Sequence, residues 1–110
     1  MQDCLFCKIV RGEIPCGKVY EDDEILAFRD IHPQRPVHVL VIPKKHITSL
    51  ATVVPEDAAV LGRMLIKAEE IARAEGSNDG FRLIINTGTV GGQEVAHLHA
   101  HIVGGPNPVG

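Results

Sequence analysis

The chain has 110 residues, of which 45% are hydrophobic and 23% charged, and a net charge of −3 with neutral histidines. That length and balance predict one folded domain over residues 1–110 with a single small core, and they exclude a disordered chain. The acidic total excludes a broad basic field for sequence-independent nucleic-acid binding, and no apolar run approaches the ~20 residues of a membrane span.

Met1-Gln2-Asp3-Cys4 carries no basic segment leading into an apolar stretch, so export is not expected. The three cysteines, two of them in Cys-x-x-Cys, do not form the pattern of a secreted disulfide framework. A reducing cytoplasm is the expected compartment.

In chain order, Asp3 is expected to cap a short helix from Cys4 to about Arg11, with Gly12 stopping it. Lys18 to Tyr20 and Ile25 to Arg29 read as strands around the acidic turn Glu21-Asp22-Asp23-Glu24. Val37 to Ile42 is a third strand, with His38 and Leu40 facing one way and Val39 and Val41 the other. One long helix is expected from Pro55 to Glu75, its apolar stripe formed by Val60, Leu61, Met64, Leu65, Ala68, Ile71 and Ala72. Gly76 ends it. Phe81 to Asn86 and about Ala96 to Val103 complete five strands, joined by a glycine-rich loop. This order predicts an α+β fold with a mostly antiparallel sheet under helical cover.

His97-Leu98-His99-Ala100-His101 sets three imidazoles two residues apart within the last predicted strand. Like-parity neighbours of a strand lie ~6.6 to 7 Å apart on one face, so the rings share a surface while Leu98, Ala100 and Ile102 face the core. Packing does not require such an alignment; proton transfer, phosphoryl chemistry and metal binding all use it. The competing reading is a solvated polar face. Thr87-Gly88-Thr89-Val90-Gly91-Gly92-Gln93-Glu94 directly precedes the strand, and its glycines allow consecutive N–H groups to cradle a phosphate. Taken alone, such a loop is usually only a hairpin connection.

His97-Leu98-His99-Ala100-His101-Ile102-Val103 resembles the His-x-His-x-His pattern of the histidine-triad (HIT) family of nucleotide hydrolases and transferases. Phe28-Arg29-Asp30-Ile31-His32-Pro33-Gln34, Pro36 through His46, and Gly91-Gly92-Gln93 extend the likeness to nearly the whole chain and resemble the Hint branch. The resemblance implies a homodimer whose sheets join edge to edge, and hydrolysis of purine nucleoside phosphoramidates through a covalent nucleotidyl-histidine. It makes His99 the nucleophile, with its second nitrogen bonded to the His97 carbonyl, and His101 the donor to the phosphoryl oxygens. His38 resembles a fourth active-site histidine on the nucleophile's side of the pocket; the alternative is a satisfied core histidine. Ile14, Phe28 and Ile31 resemble the base pocket, although Phe28 and Ile31 read equally as core. Asp30 resembles the ribose acceptor, and Asn86, Gly92 and Gln93 the lining of the phosphate path. Glu94 departs from the animal Hint proteins, which carry a leaving-group serine there; a carboxylate favours a cationic amine unless its pKa is raised. The tail Gly105-Pro106-Asn107-Pro108-Val109-Gly110 lacks the animal proteins' tryptophan, and with it any selectivity supplied across a dimer interface.

Cys4-Leu5-Phe6-Cys7 places two thiols on one helical turn, half of a Cys₂His₂ zinc tetrahedron. By resemblance to bacterial HIT proteins, Cys4 and Cys7 would be joined by His46 and His97, making zinc structural and unnecessary for the chemistry. Reduced buried cysteines and a redox-active pair are the alternatives. Cys16 stands outside this set. Lys44-Lys45 reads as a solvated strand end, so nucleic acid is not an expected partner, nor is a membrane. Another HIT activity, such as dinucleoside polyphosphate hydrolysis, and a nucleotide-binding regulatory role remain open.

Overall fold

The computed structural model describes residues 4–108. The elements run α1 (Leu5–Val10), β1 (Gly17–Glu21), β2 (Ile25–Arg29), β3 (Val37–Pro43), two short 3₁₀ turns (Leu50–Thr52 and Pro55–Asp57), α2 (Ala58–Ala74), β4 (Arg82–Ile84) and β5 (Ala100–Gly104). The five strands make one sheet in the order β1-β2-β3-β5-β4. Every pairing is antiparallel. The α+β architecture is therefore the one the sequence predicts, with one short and one long helix.

The sheet is covered on both faces, which explains why β3 is apolar at nearly every position. Ile25, Ala27, Val39, Val41, Ala100 and Ile102 pack against Val60, Met64, Ala68, Ile71 and Ala72 of α2. On the other face, Leu26, Phe28, Leu40 and Ile42 pack against Phe6 of α1. Alternation along the strands thus assigns one parity to α2 and the other to α1. Gly76, at φ +107°, ends α2 in a conformation that a side chain would strain.

Several boundaries differ from the sequence expectation. The last strand was expected from Ala96, but the ladder begins at Ala100. Upstream, the Leu98 N–H donates to the Ile47 carbonyl and the His97 carbonyl accepts from the ring of His99, so this backbone bonds outside the sheet. The fourth strand is three residues long rather than reaching from Phe81 to Asn86. Leu65 does not belong to the apolar stripe: it is 52% exposed, because it sits about 100° around the helix from the buried Met64. A 3₁₀ turn occupies Pro55–Asp57, and the long helix begins at Ala58. Asp3, the expected cap of α1, lies outside the described residues; Cys4 is the N-cap, its sulfur accepting from the Cys7 N–H at 3.3 Å.

Among the described residues, no helix is long and apolar enough to cross a membrane. Lys44 and Lys45 pair with Glu21 and Asp57 at 2.7 and 2.6 Å.

Candidate functional site

The three histidines of the motif share one side of the sheet, and each has a distinct setting. The Nδ1–H of His99 donates to the His97 carbonyl at 2.7 Å, which leaves Nε2 as the nitrogen with the free lone pair. His101 is linked to His38, with Nδ1 and Nε2 2.9 Å apart, and the Gln34 N–H donates to His38 Nδ1 at 3.0 Å. Since His38 Nδ1 accepts, its Nε2 donates to His101 Nδ1, and neutral His101 then carries its proton on Nε2. His38 therefore orients His101, whose ring centroid lies 5.0 Å from that of His99. Burial above all, followed by the nearby imidazoles of His99 and His38, pushes His101 down to about 4, so its ring is neutral at pH 7. The Asp30 carboxylate opposes this shift from 3.5 Å beyond His38 Nε2.

His99 and His101 line a cleft of about 320 Å³ together with Asn86, Gly92, Glu94, Ile14, Phe28, Asp30 and Ile31. Phe28 is buried and packs edge-on to Phe6, with ring centroids 5.5 Å apart. Ile31 is 84% exposed at the rim, which rules out a core role for it. Asp30 is anchored by accepting from the His32 N–H at 2.8 Å. Leu5, Phe6 and Ile9 of α1 complete the apolar wall. The sequence reading missed these three; the signal was available in the apolar residues that share a six-residue helix with the thiol pair.

Cys4, Cys7, His46 and His97 present one ligand atom each within 4.8 Å of one another. The His97 Nε2–H donates to the Pro43 carbonyl at 2.8 Å, which turns its bare Nδ1 toward the sulfurs of Cys4 and Cys7, at 3.2 and 3.6 Å. His46 Nδ1 lies 3.3 Å from the Cys7 sulfur. Burial pushes the Cys7 thiol up and the His46 and His97 imidazoles down, so both histidines are neutral, as a ligand must be. This donor set fits zinc. Asp30, His38 and His101 form a second close group, in which both nitrogens of His38 and Nδ1 of His101 are already engaged with each other and with Gln34.

The sequence model of the HIT domain matches residues 11–107. The chain belongs to the HIT family. It is 55% identical over 106 residues to protein HitA of Neisseria gonorrhoeae, covering 96% of this chain and 99% of that one. A HIT family hydrolase from Legionella pneumophila superposes with a TM-score of 0.91 at 52% identity, covering 96% of this chain and 95% of the other. A histidine triad protein from Clostridium difficile gives 0.93 at 45% identity, covering 100% and 96%.

The glycine-rich loop of this HIT chain is less open to an anion than its composition predicts. The N–H groups of Gly88, Gly92 and Gln93 bond within the loop, to Gln93 Oε1, Thr89 O and Gly88 O. Gln93 does not line the cleft. Its amide donates to the carbonyls of Thr48 and Val95 at 2.7 and 2.9 Å and so ties the loop down. A Cβ at Gly91 would collide with the Thr87 carbonyl, which explains that glycine by close backbone approach. Cys16 lines the cleft and takes no part in the sulfur–imidazole group.

Proposed function

We propose that this HIT chain hydrolyses the P–N bond of purine nucleoside 5′-phosphoramidates, as a Hint-like enzyme acting through a His99 adduct. The observation that carries the reading is the 2.7 Å bond from His99 Nδ1 to the His97 carbonyl, which leaves Nε2 with the lone pair a nucleophile needs. Nε2 attacks the α-phosphorus, the P–N bond breaks, and its electron pair goes to the amine nitrogen, which takes a proton from solvent and leaves. Water then attacks the phosphorus, gives its proton to solvent, and the P–Nε2 electron pair returns to His99. His101, held by His38, directs its Nε2–H to a phosphoryl oxygen and stabilises the charge that builds there. Ile14, Phe28 and Ile31 hold the base, Asp30 accepts from the ribose hydroxyls, and Asn86, Gly92 and Glu94 border the phosphate. Gln93 acts on that border only through the loop it holds.

The hydrolase in the name of the Legionella relative supports this class of activity. Cys4, Cys7, His46 and His97 would hold zinc as a structural ion, which would supply no chemistry to the hydrolysis. The protein works as a cytoplasmic homodimer. Pairing sheet edges between two copies would remove an exposed edge, and Leu65 and Ile66, at 52% and 78% exposure, offer further apolar surface.

One observation favours a second reading. Beyond His101 lies another cleft, lined by Gln34, Arg35, His38, Arg82, Ile84 and Asn86, and its two guanidinium groups suit a leaving group that carries phosphate. That would be dinucleoside polyphosphate hydrolysis. Assaying an adenosine phosphoramidate beside a diadenosine polyphosphate decides between them: a higher kcat/KM on the phosphoramidate supports the first reading, and the reverse order supports the second.

A further inference from the structure

We infer that the Cys4–Cys7–His46–His97 group and the nucleoside cleft are energetically coupled through α1, with Phe6 carrying the coupling. The inference rests on the metal and nucleotide assignments proposed above. Within six residues α1 serves two surroundings. Cys4, its N-cap, and Cys7, one turn on, turn their sulfurs to His97 and His46 at 3.2 and 3.3 Å. Leu5, Phe6 and Ile9 form a wall of the cleft. Phe6 stands between the two: its ring centroid lies 5.9 Å from His97, 5.2 Å from His99 in an edge-on arrangement at 88°, and 5.5 Å from Phe28. One side chain thus touches a metal-site imidazole, the proposed nucleophile and the proposed base-binding ring.

A helix this short does not hold itself in water, so its position depends on what its inward face docks against. The buried residues of α1 are Phe6 and Cys7, an aromatic ring and a thiol. Filling the sulfur–imidazole group ties the N-terminal half of α1, from Cys4 to Cys7, to the body of the fold, and Phe6 is then held against His99. The apolar wall exists before a nucleoside arrives, and the cost of ordering it does not fall on binding. By linkage the effect is reciprocal: a nucleotide seated against Phe6 raises metal affinity by the same factor. Phe6 acts by packing alone, against the nucleoside on one side and the His97 and His99 rings on the other.

The test titrates zinc-loaded and chelated wild-type protein with AMP, and separately titrates zinc with and without saturating AMP. AMP is expected to bind at least about fivefold tighter to the zinc-loaded chain, with zinc affinity rising by the same factor when AMP is present. Phe6→Leu keeps an apolar, helix-compatible side chain; both ligands still bind, and the ratio falls toward unity. Amide exchange in the chelated chain should quicken in α1 while β3 and β5 stay protected. Loss of protection across the sheet would instead mean global unfolding and would overturn the inference. AMP affinities equal to within about twofold in the two forms would overturn the coupling while leaving both assignments standing. No AMP binding to the zinc-loaded chain overturns the nucleotide assignment, no zinc binding overturns the metal assignment, and either overturns the coupling.

Discussion

The carbonyl of His97 fixes the tautomer of His99 at 2.7 Å, while the His97 ring bridges Pro43 and the sulfurs of Cys4 and Cys7. One residue therefore serves two groups by different atoms, its backbone oxygen for the proposed nucleophile and its imidazole for the candidate metal ligands. The arrangement depends on this stretch leaving the sheet ladder: a carbonyl paired with a neighbouring strand would not be available to the His99 ring.

The half-buried imidazole of His101 makes stability pH-dependent. Its pKa is held at about 4 when folded, against an ordinary value near 6.5 when unfolded. Between those values the unfolded chain binds the extra proton, so stability rises with pH across that window. The contribution is fully present above about pH 6.5 and is lost as pH falls toward 4, on the order of 3 kcal/mol for this group. Denaturation midpoints measured from pH 4 to 7 should show the slope, and His101→Gln should flatten it. A slope unchanged in the variant would contradict the assignment.

Gln93→Glu tests whether this side chain works through the loop rather than on a substrate. The variant keeps an acceptor for Gly88 but loses the donors to Thr48 and Val95, and it sets a carboxylate against two carbonyls. A loss of about 2 kcal/mol is expected in urea unfolding. An unaltered midpoint with impaired turnover would return Gln93 to the phosphate path.

Asp22 is the tie between the first hairpin and α2. Its carboxylate accepts from the Glu24 and Ile25 N–H groups at 2.8 and 2.9 Å, from the Tyr20 hydroxyl at 2.7 Å and from Arg63 at 2.6 Å. Burial alone would raise its pKa, but these donors together hold it well below the usual carboxylate range. Asp22→Ala should cost about 2 kcal/mol with an unchanged m-value, and turnover at low temperature should survive.

Protein purified without a metal-affinity tag should carry close to one zinc per chain by elemental analysis. Less than about 0.2 per chain, with no recovery on adding zinc, would end the Cys₂His₂ assignment.

Much of the fold was legible because β2 and β3 are short apolar runs between clear turn signals, and α2 carries a repeating stripe closed by Gly76. The start of β5 was not, because period-two histidines read as strand while the bonds that take the His97 and Leu98 backbone off the ladder come from Ile47 and a ring nitrogen of His99. Those partners are distant in sequence or belong to side chains, and local pattern does not register them. The same holds for α1: Leu5, Phe6 and Ile9 look like ordinary core residues until the sheet brings Phe28 and His99 beside them. Gln93 was misplaced because a polar side chain in a glycine-rich loop suggests a ligand, whereas its partners are three backbone groups.

The most direct test of the account is rapid quenching of the enzyme with an adenosine 5′-phosphoramidate, followed by intact mass and peptide mapping. The account predicts a transient adenylylated chain with the nucleotide on His99, absent in His99→Ala, whose turnover falls by on the order of 10³-fold or more. Undiminished turnover in that variant, or an adduct mapped to another residue, would contradict it.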